Sequence, residues 1–143
     1  MGDVEDFWPI IDNTENPNSP VVLLRKQAEK LTDNTGHRLR GRVSTSSIKL
    51  GFLAGLALGI TDVRRAPDTF THEFSIEVPA LNDYSYTLFA ISHAIDGYPV
   101  IYEDENGTWQ SLSDVKQFTA WLKQTLSSEK TQRILKTLLE QAG

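Results

Sequence analysis

Apolar and polar positions alternate most regularly between Phe70 and Val78, where Phe70, His72, Phe74, Ile76 and Val78 interleave with Thr71, Glu73, Ser75 and Glu77. A period of two marks a strand that buries one face. Pro79 to Asp83 supplies a turn, and Tyr84 to Ile95 reads as a second strand with apolar residues on both faces. Asp96-Gly97 turns the chain into a third strand, Tyr98 to Glu103. Asn106-Gly107 is a hairpin signal, because both residues tolerate positive φ, and it returns a short strand around Trp109. Upstream, Leu39 and Val43 alternate with Arg38, Arg40 and Arg42, so one face of that strand is predicted to be a row of guanidinium groups.

A helical period governs the flanks. Ser19 followed by Pro20 is a helix start, with a hydroxyl cap and a proline where its missing N–H is harmless. Val21, Leu24, Ala28 and Leu31 follow at helical spacing, and Asn34-Thr35-Gly36 supplies the stop. After the strands, Ser113 caps a helix striped by Val115, Phe118, Leu122 and Leu126. A restart at Ser127 or Ser128 carries Ile134, Leu135, Leu138 and Leu139 to the end. Residues 3–12 read as a short helix carrying Phe7, Trp8, Ile10 and Ile11, with Pro9 in its first turn. Strands joined by short turns, with helices gathered at both ends, predict an α+β fold. It is an antiparallel sheet of four to five strands with the N-terminal and C-terminal helices on one face. Residues 1–19 form an acidic N-terminal segment and residues 20–143 a single domain.

Composition narrows the chemistry. A chain of 143 residues suits one core, and with no cysteine it has no disulfide, thiolate zinc site or cysteine nucleophile. The acidic start lacks the basic and apolar stretches of a signal peptide, and together with the missing cysteines this predicts a cytoplasmic protein. The formal charge of −5 is segregated: residues 25–65 hold nine basic side chains against Glu29, Asp33 and Asp62. Overall acidity argues against general nucleic-acid binding. A local anion-attracting face remains, in which Arg38, Arg40 and Arg42 join Arg64 and Arg65. The arginine strand has no interleaved aromatics of the kind that stack single-stranded bases.

Leu50 to Ile60, LGFLAGLALGI, repeats the small-xxx-small spacing at Gly51, Gly55 and Gly59. It is about half the ~20 residues of a membrane span, and Lys49 and Asp62 bound it, so no span is expected. It is either core or an apolar surface that docks a partner, with Phe52 and Leu56 at its centre. The second reading predicts a homodimer. His72 and His93 fall on strands paired across the 79–83 turn. With Asp83 or Glu73 they could bind a metal or supply a general base, although no HxH or HxxxH spacing accompanies them. A core histidine bonded to a neighbour is the ordinary alternative. Tyr84 and Tyr86, with Tyr98, Tyr102 and Phe89, form an aromatic set suited to cross-strand packing or to an interface. No glycine-rich phosphate loop, nucleophile elbow or cofactor motif is present in the sequence.

Several stretches carry a resemblance: Leu24-Arg25-x-Gln27-Ala28-x-x-Leu31, Thr35-Gly36, Phe74-x-Ile76, Pro79-Ala80-Leu81-Asn82-Asp83-Tyr84-x-Tyr86-x-Leu88-Phe89, His93, and Tyr98-Pro99-Val100. Over residues 20–102 the chain resembles a group of small uncharacterised bacterial proteins. The resemblance implies no particular activity. Its members resemble accessory proteins encoded near toxins or mobile elements, which favours an interaction role. The stretch 47–67 is long for the group. The sequence thus predicts a non-enzymatic protein-binding protein of adaptor or immunity-like character. The alternatives are a small enzyme or metal binder using His72 and His93, and a phosphate- or RNA-binding module using the arginine strand.

Overall fold

The alternation of apolar residues becomes a five-stranded antiparallel meander in the computed structural model, which describes residues 4–48 and 69–143. The strands are β1 (Arg40–Ile48), β2 (Thr69–Val78), β3 (Tyr84–His93), β4 (Val100–Glu103) and β5 (Trp109–Leu112), in that spatial order. Helix α1 (Pro20–Asn34) precedes them, and α2 (Val115–Leu126) and α3 (Glu129–Gln141) follow. The fold is α+β, as the periodicities predict.

Register assigns the faces. Val43 lies opposite Phe74, Phe74 opposite Phe89, and His93 opposite Val100. These residues share the face on which the helices pack. Leu24 and Ala28 of α1 and Phe118 and Leu122 of α2 join Phe74, Ile91 and Val100 in one core cluster. Leu138 of α3 joins Leu39, Ile76 and Val78 in a second. Leu88 touches both. Each of the larger buried side chains stabilises the fold by about 2–3 kcal/mol through the area it removes from water.

Two local features set how the layers meet. Helix α1 crosses β1 so closely that a Cβ on Gly41 would lie 2.5 Å from the Ala28 carbonyl oxygen, so only glycine fits. Thr32 locks this contact: its hydroxyl accepts from the Gly41 N–H at 3.0 Å and donates to the Ala28 carbonyl at 3.1 Å. The second feature is a bulge in β3. Phe74 pairs with Phe89 but Ser75 pairs with Thr87, which leaves Leu88 as an extra residue. The strand's side-chain phase therefore inverts at Leu88. Phe89 and Ile91 face the helices on one side of it, and Tyr86 faces them on the other.

The predicted N-terminal helix does not form. Residues 4–12 carry no helix, and Val4, Phe7, Trp8, Ile10 and Ile11 are all exposed, from 61% for Ile11 to 103% for Ile10. Pro9 pushes Trp8 away from helical angles. The Asp6 carboxylate accepts from the Trp8 N–H at 2.9 Å and Asp12 from Thr14 at 2.8 Å. Such aspartate turns compete directly with helical hydrogen bonding. The helix caps also differ in detail. Ser19 sits at the start of α1 without a side-chain bond, and Asp114, not Ser113, caps α2 by accepting from the Gln117 N–H. Ser128 caps α3 through the Thr131 N–H.

Candidate functional site

The three arginines of the predicted row separate. Arg38 precedes β1, and its guanidinium donates to the Leu139 carbonyl in the last turn of α3 at 2.9 Å. Arg40 and Arg42 both reach Glu77, at 3.7 and 2.8 Å, and the Glu77 side chain is only 9% exposed. Two of the three guanidinium groups are thus engaged by one carboxylate and the third serves a helix end. Arg64, Arg65, Phe52 and Leu56, with the whole Leu50–Ile60 stretch, lie outside the described residues.

His72 and His93 do meet, with their Nε2 atoms 2.7 Å apart. The Nδ1 of His93 lies 2.7 Å from the Ala94 carbonyl oxygen and must donate to it, which makes the Nε2 of neutral His93 an acceptor. His72 then donates from Nε2, and its Nδ1 accepts from the Thr45 hydroxyl at 2.9 Å. Every ring nitrogen has a partner and the donors all run one way. His72 is 3% exposed. Burial, then the neighbouring His93 and Arg25, depress its pKa to about 4, so the ring is neutral at physiological pH. A separation of 2.7 Å is also shorter than the roughly 3.4 Å between two nitrogens that share one tetrahedral zinc. Among the described residues no group of three or more histidines and carboxylates could hold a metal ion.

Tyr84 and Tyr86 stand at the other end of the same sheet face, because the Leu88 bulge turns them toward α3. On α3, Lys130, Arg133, Ile134, Thr137 and Leu138 recur at three- and four-residue spacing and so form one stripe. The two elements line an open, shallow cleft of about 410 Å³. Ile134 and Leu138 floor it, the tyrosine rings wall it, and Lys130 and Arg133 stand at its rim. Tyr84 is 49% exposed. Neither tyrosine hydroxyl has a hydrogen-bond partner, and Arg133 has neither an ion pair nor a hydrogen bond among the described residues. Lys130 makes only a 3.8 Å contact with exposed Glu105, a pair that water screens almost completely. Among the described residues the lining contains no carboxylate and no imidazole.

Lys130 and Arg133 are the site residues that reading the strands alone misses. Their signal is the spacing of the C-terminal helix, where both fall on the edge of its apolar stripe. Tyr98 and Tyr102 go elsewhere: Tyr98 packs edge-on against Phe118, and Tyr102 lies 4.7 Å from the Trp121 ring. Among the described residues no helix is long and apolar enough to cross a membrane. No protein-family model, curated protein or solved structure matches the chain.

Proposed function

We propose that this chain is a non-catalytic protein-recognition module that seats an extended, acidic and apolar peptide segment in the groove between β3 and α3. One observation carries the reading. The Arg133 guanidinium and two phenol hydroxyls, all unpartnered among the described residues, line an apolar cleft with no carboxylate or imidazole in its described lining. An apolar anchor fills the floor, tyrosine faces cover it, and a carboxylate meets the rim cations. Tyrosine and arginine are the residues that most often dominate binding energy at such surfaces. The histidine pair supports the enzyme reading less well, because its nitrogens are satisfied internally and leave none free for substrate.

The test is selection of displayed random peptides on the wild-type chain, followed by affinity measurement on Tyr86→Ala and Arg133→Glu. Enriched peptides should combine aromatic or aliphatic residues with Asp or Glu, and each variant should weaken them by about tenfold or more. Peptides that bind both variants as tightly as wild type would locate recognition elsewhere and sink the proposal.

A further inference from the structure

We infer that the groove is filled by residues 4–12 of a second copy of this chain, the two copies exchanging N-terminal arms about a two-fold axis. The inference rests on the groove reading above and names its occupant.

The arm has the chemistry that the groove selects. Val4, Phe7, Trp8, Ile10 and Ile11 project from a backbone that forms neither helix nor sheet, and Glu5, Asp6 and Asp12 interleave with them. Five large apolar side chains on one nine-residue stretch, none of them buried, form an unusually dense exposed set for a chain with its own core. The groove offers the converse, an apolar floor with a rim of Lys130 and Arg133. Apolar anchors thus meet apolar lining, and three carboxylates meet two cations with no strong partner among the described residues.

Placement favours a second copy over the same one. The arm leaves the body at the far end of the sheet, where the Tyr98 hydroxyl donates to the Asn18 carbonyl at 2.8 Å. Tyr98 precedes Val100, and Val100 pairs with His93, whereas the tyrosine wall starts at Tyr86, near the opposite end of β3. At about 3.3 Å per residue those ends are roughly 20–25 Å apart. Ten residues from Asn18 back to Trp8 span at most about 33–36 Å when fully straight. This stretch is not straight. Asp12 and Asn16 hold turns through the N–H groups of Thr14 and Asn18, and Ser19 bonds back to Asn16. Held by these turns, the arm does not enter its own groove, since its five apolar side chains are all exposed. A neighbouring copy facing it across a two-fold axis brings arm and groove together, and the exchange closes on itself as a dimer.

Sedimentation equilibrium and photo-crosslinking on the full chain decide the matter. Wild type should be a dimer, and Trp8→Ala and Arg133→Glu should each raise the dimer dissociation constant at least tenfold without shifting the melting temperature of dilute protein. Asp6→Arg should restore association with Arg133→Glu. A photoreactive phenylalanine analogue at Phe7, in a mixture of light and isotope-labelled chains, should give light–heavy crosslinks to residues 84–86 or 130–138. A monomeric wild type, crosslinks confined within one chain, or a dimer indifferent to both variants would each overturn the inference. If crosslinks miss the groove while selected peptides still bind it through Arg133, only the occupant is wrong. If neither arm nor peptides engage it, the groove reading falls as well.

Discussion

The helix-covered face of the sheet ends in two polar corners, and they differ in what their polar atoms have left to offer. At the His72–His93 corner each ring nitrogen is bonded, from the Thr45 hydroxyl at one end to the Ala94 carbonyl at the other. At the Tyr84–Tyr86 corner, two hydroxyls and the Arg133 guanidinium have no partner among the described residues. Residue type alone ranks the corners the other way, since paired histidines suggest chemistry and paired tyrosines suggest packing. Unspent hydrogen-bonding capacity at an accessible surface is the better guide, because a saturated group must first break a bond to bind anything.

The comparison is broken most severely by removing what both corners share. Phe74 is 1% exposed and stacks on Phe89 at 5.3 Å between the two ends. Phe74→Ala should cost about 3–5 kcal/mol, and denaturant melts should show both corners failing together. A smaller loss would mean that the corners are held independently.

A more selective test addresses the histidines. The folded-state pKa of His72 is lowered to about 4 from 6.5, so the unfolded chain binds a proton more readily between those values. Stability from this group is complete above pH 6.5 and is lost as pH falls toward 4, on the order of 2 kcal/mol in all. His72→Gln should lower stability at pH 7 by about 1–2 kcal/mol and flatten the fall between pH 6.5 and 5. An unchanged slope would show that His72 titrates alike in the folded and unfolded chain. The smallest effect belongs to the arm. Deleting residues 1–15 should shift the melting temperature of dilute protein by no more than about 2 °C, because its apolar side chains are already in water. A larger drop would mean that Phe7 and Trp8 pack on the body.

Local pattern made much of this legible. Strand β2 follows from strict alternation, the turns from Pro79 to Asp83, Asp96-Gly97 and Asn106-Gly107, and α1 from Ser19-Pro20 and Gly36. The same alternation puts His72 on the buried face. What stayed hidden depends on distance in sequence. Nothing near Arg40 and Arg42 marks Glu77 as their shared partner, and nothing near Tyr84 marks Arg133 as its neighbour. The N-terminal segment misled because Phe7, Trp8, Ile10 and Ile11 fit an apolar stripe, while the aspartate turns and Pro9 that forbid a helix act one residue at a time.

Leu88 gives strand β3 two reading frames. From Phe89 to His93 odd positions face the helices, and from Tyr84 to Thr87 even positions do. Removing that one residue would leave the upper frame intact and exchange the lower one, sending Tyr84 and Tyr86 to the far side and bringing Ser85 and Thr87 under α3. The aromatic wall is therefore a product of chain length at a single point as much as of residue choice. A lineage can acquire or lose such a surface by one codon inserted or deleted, with every tyrosine in place.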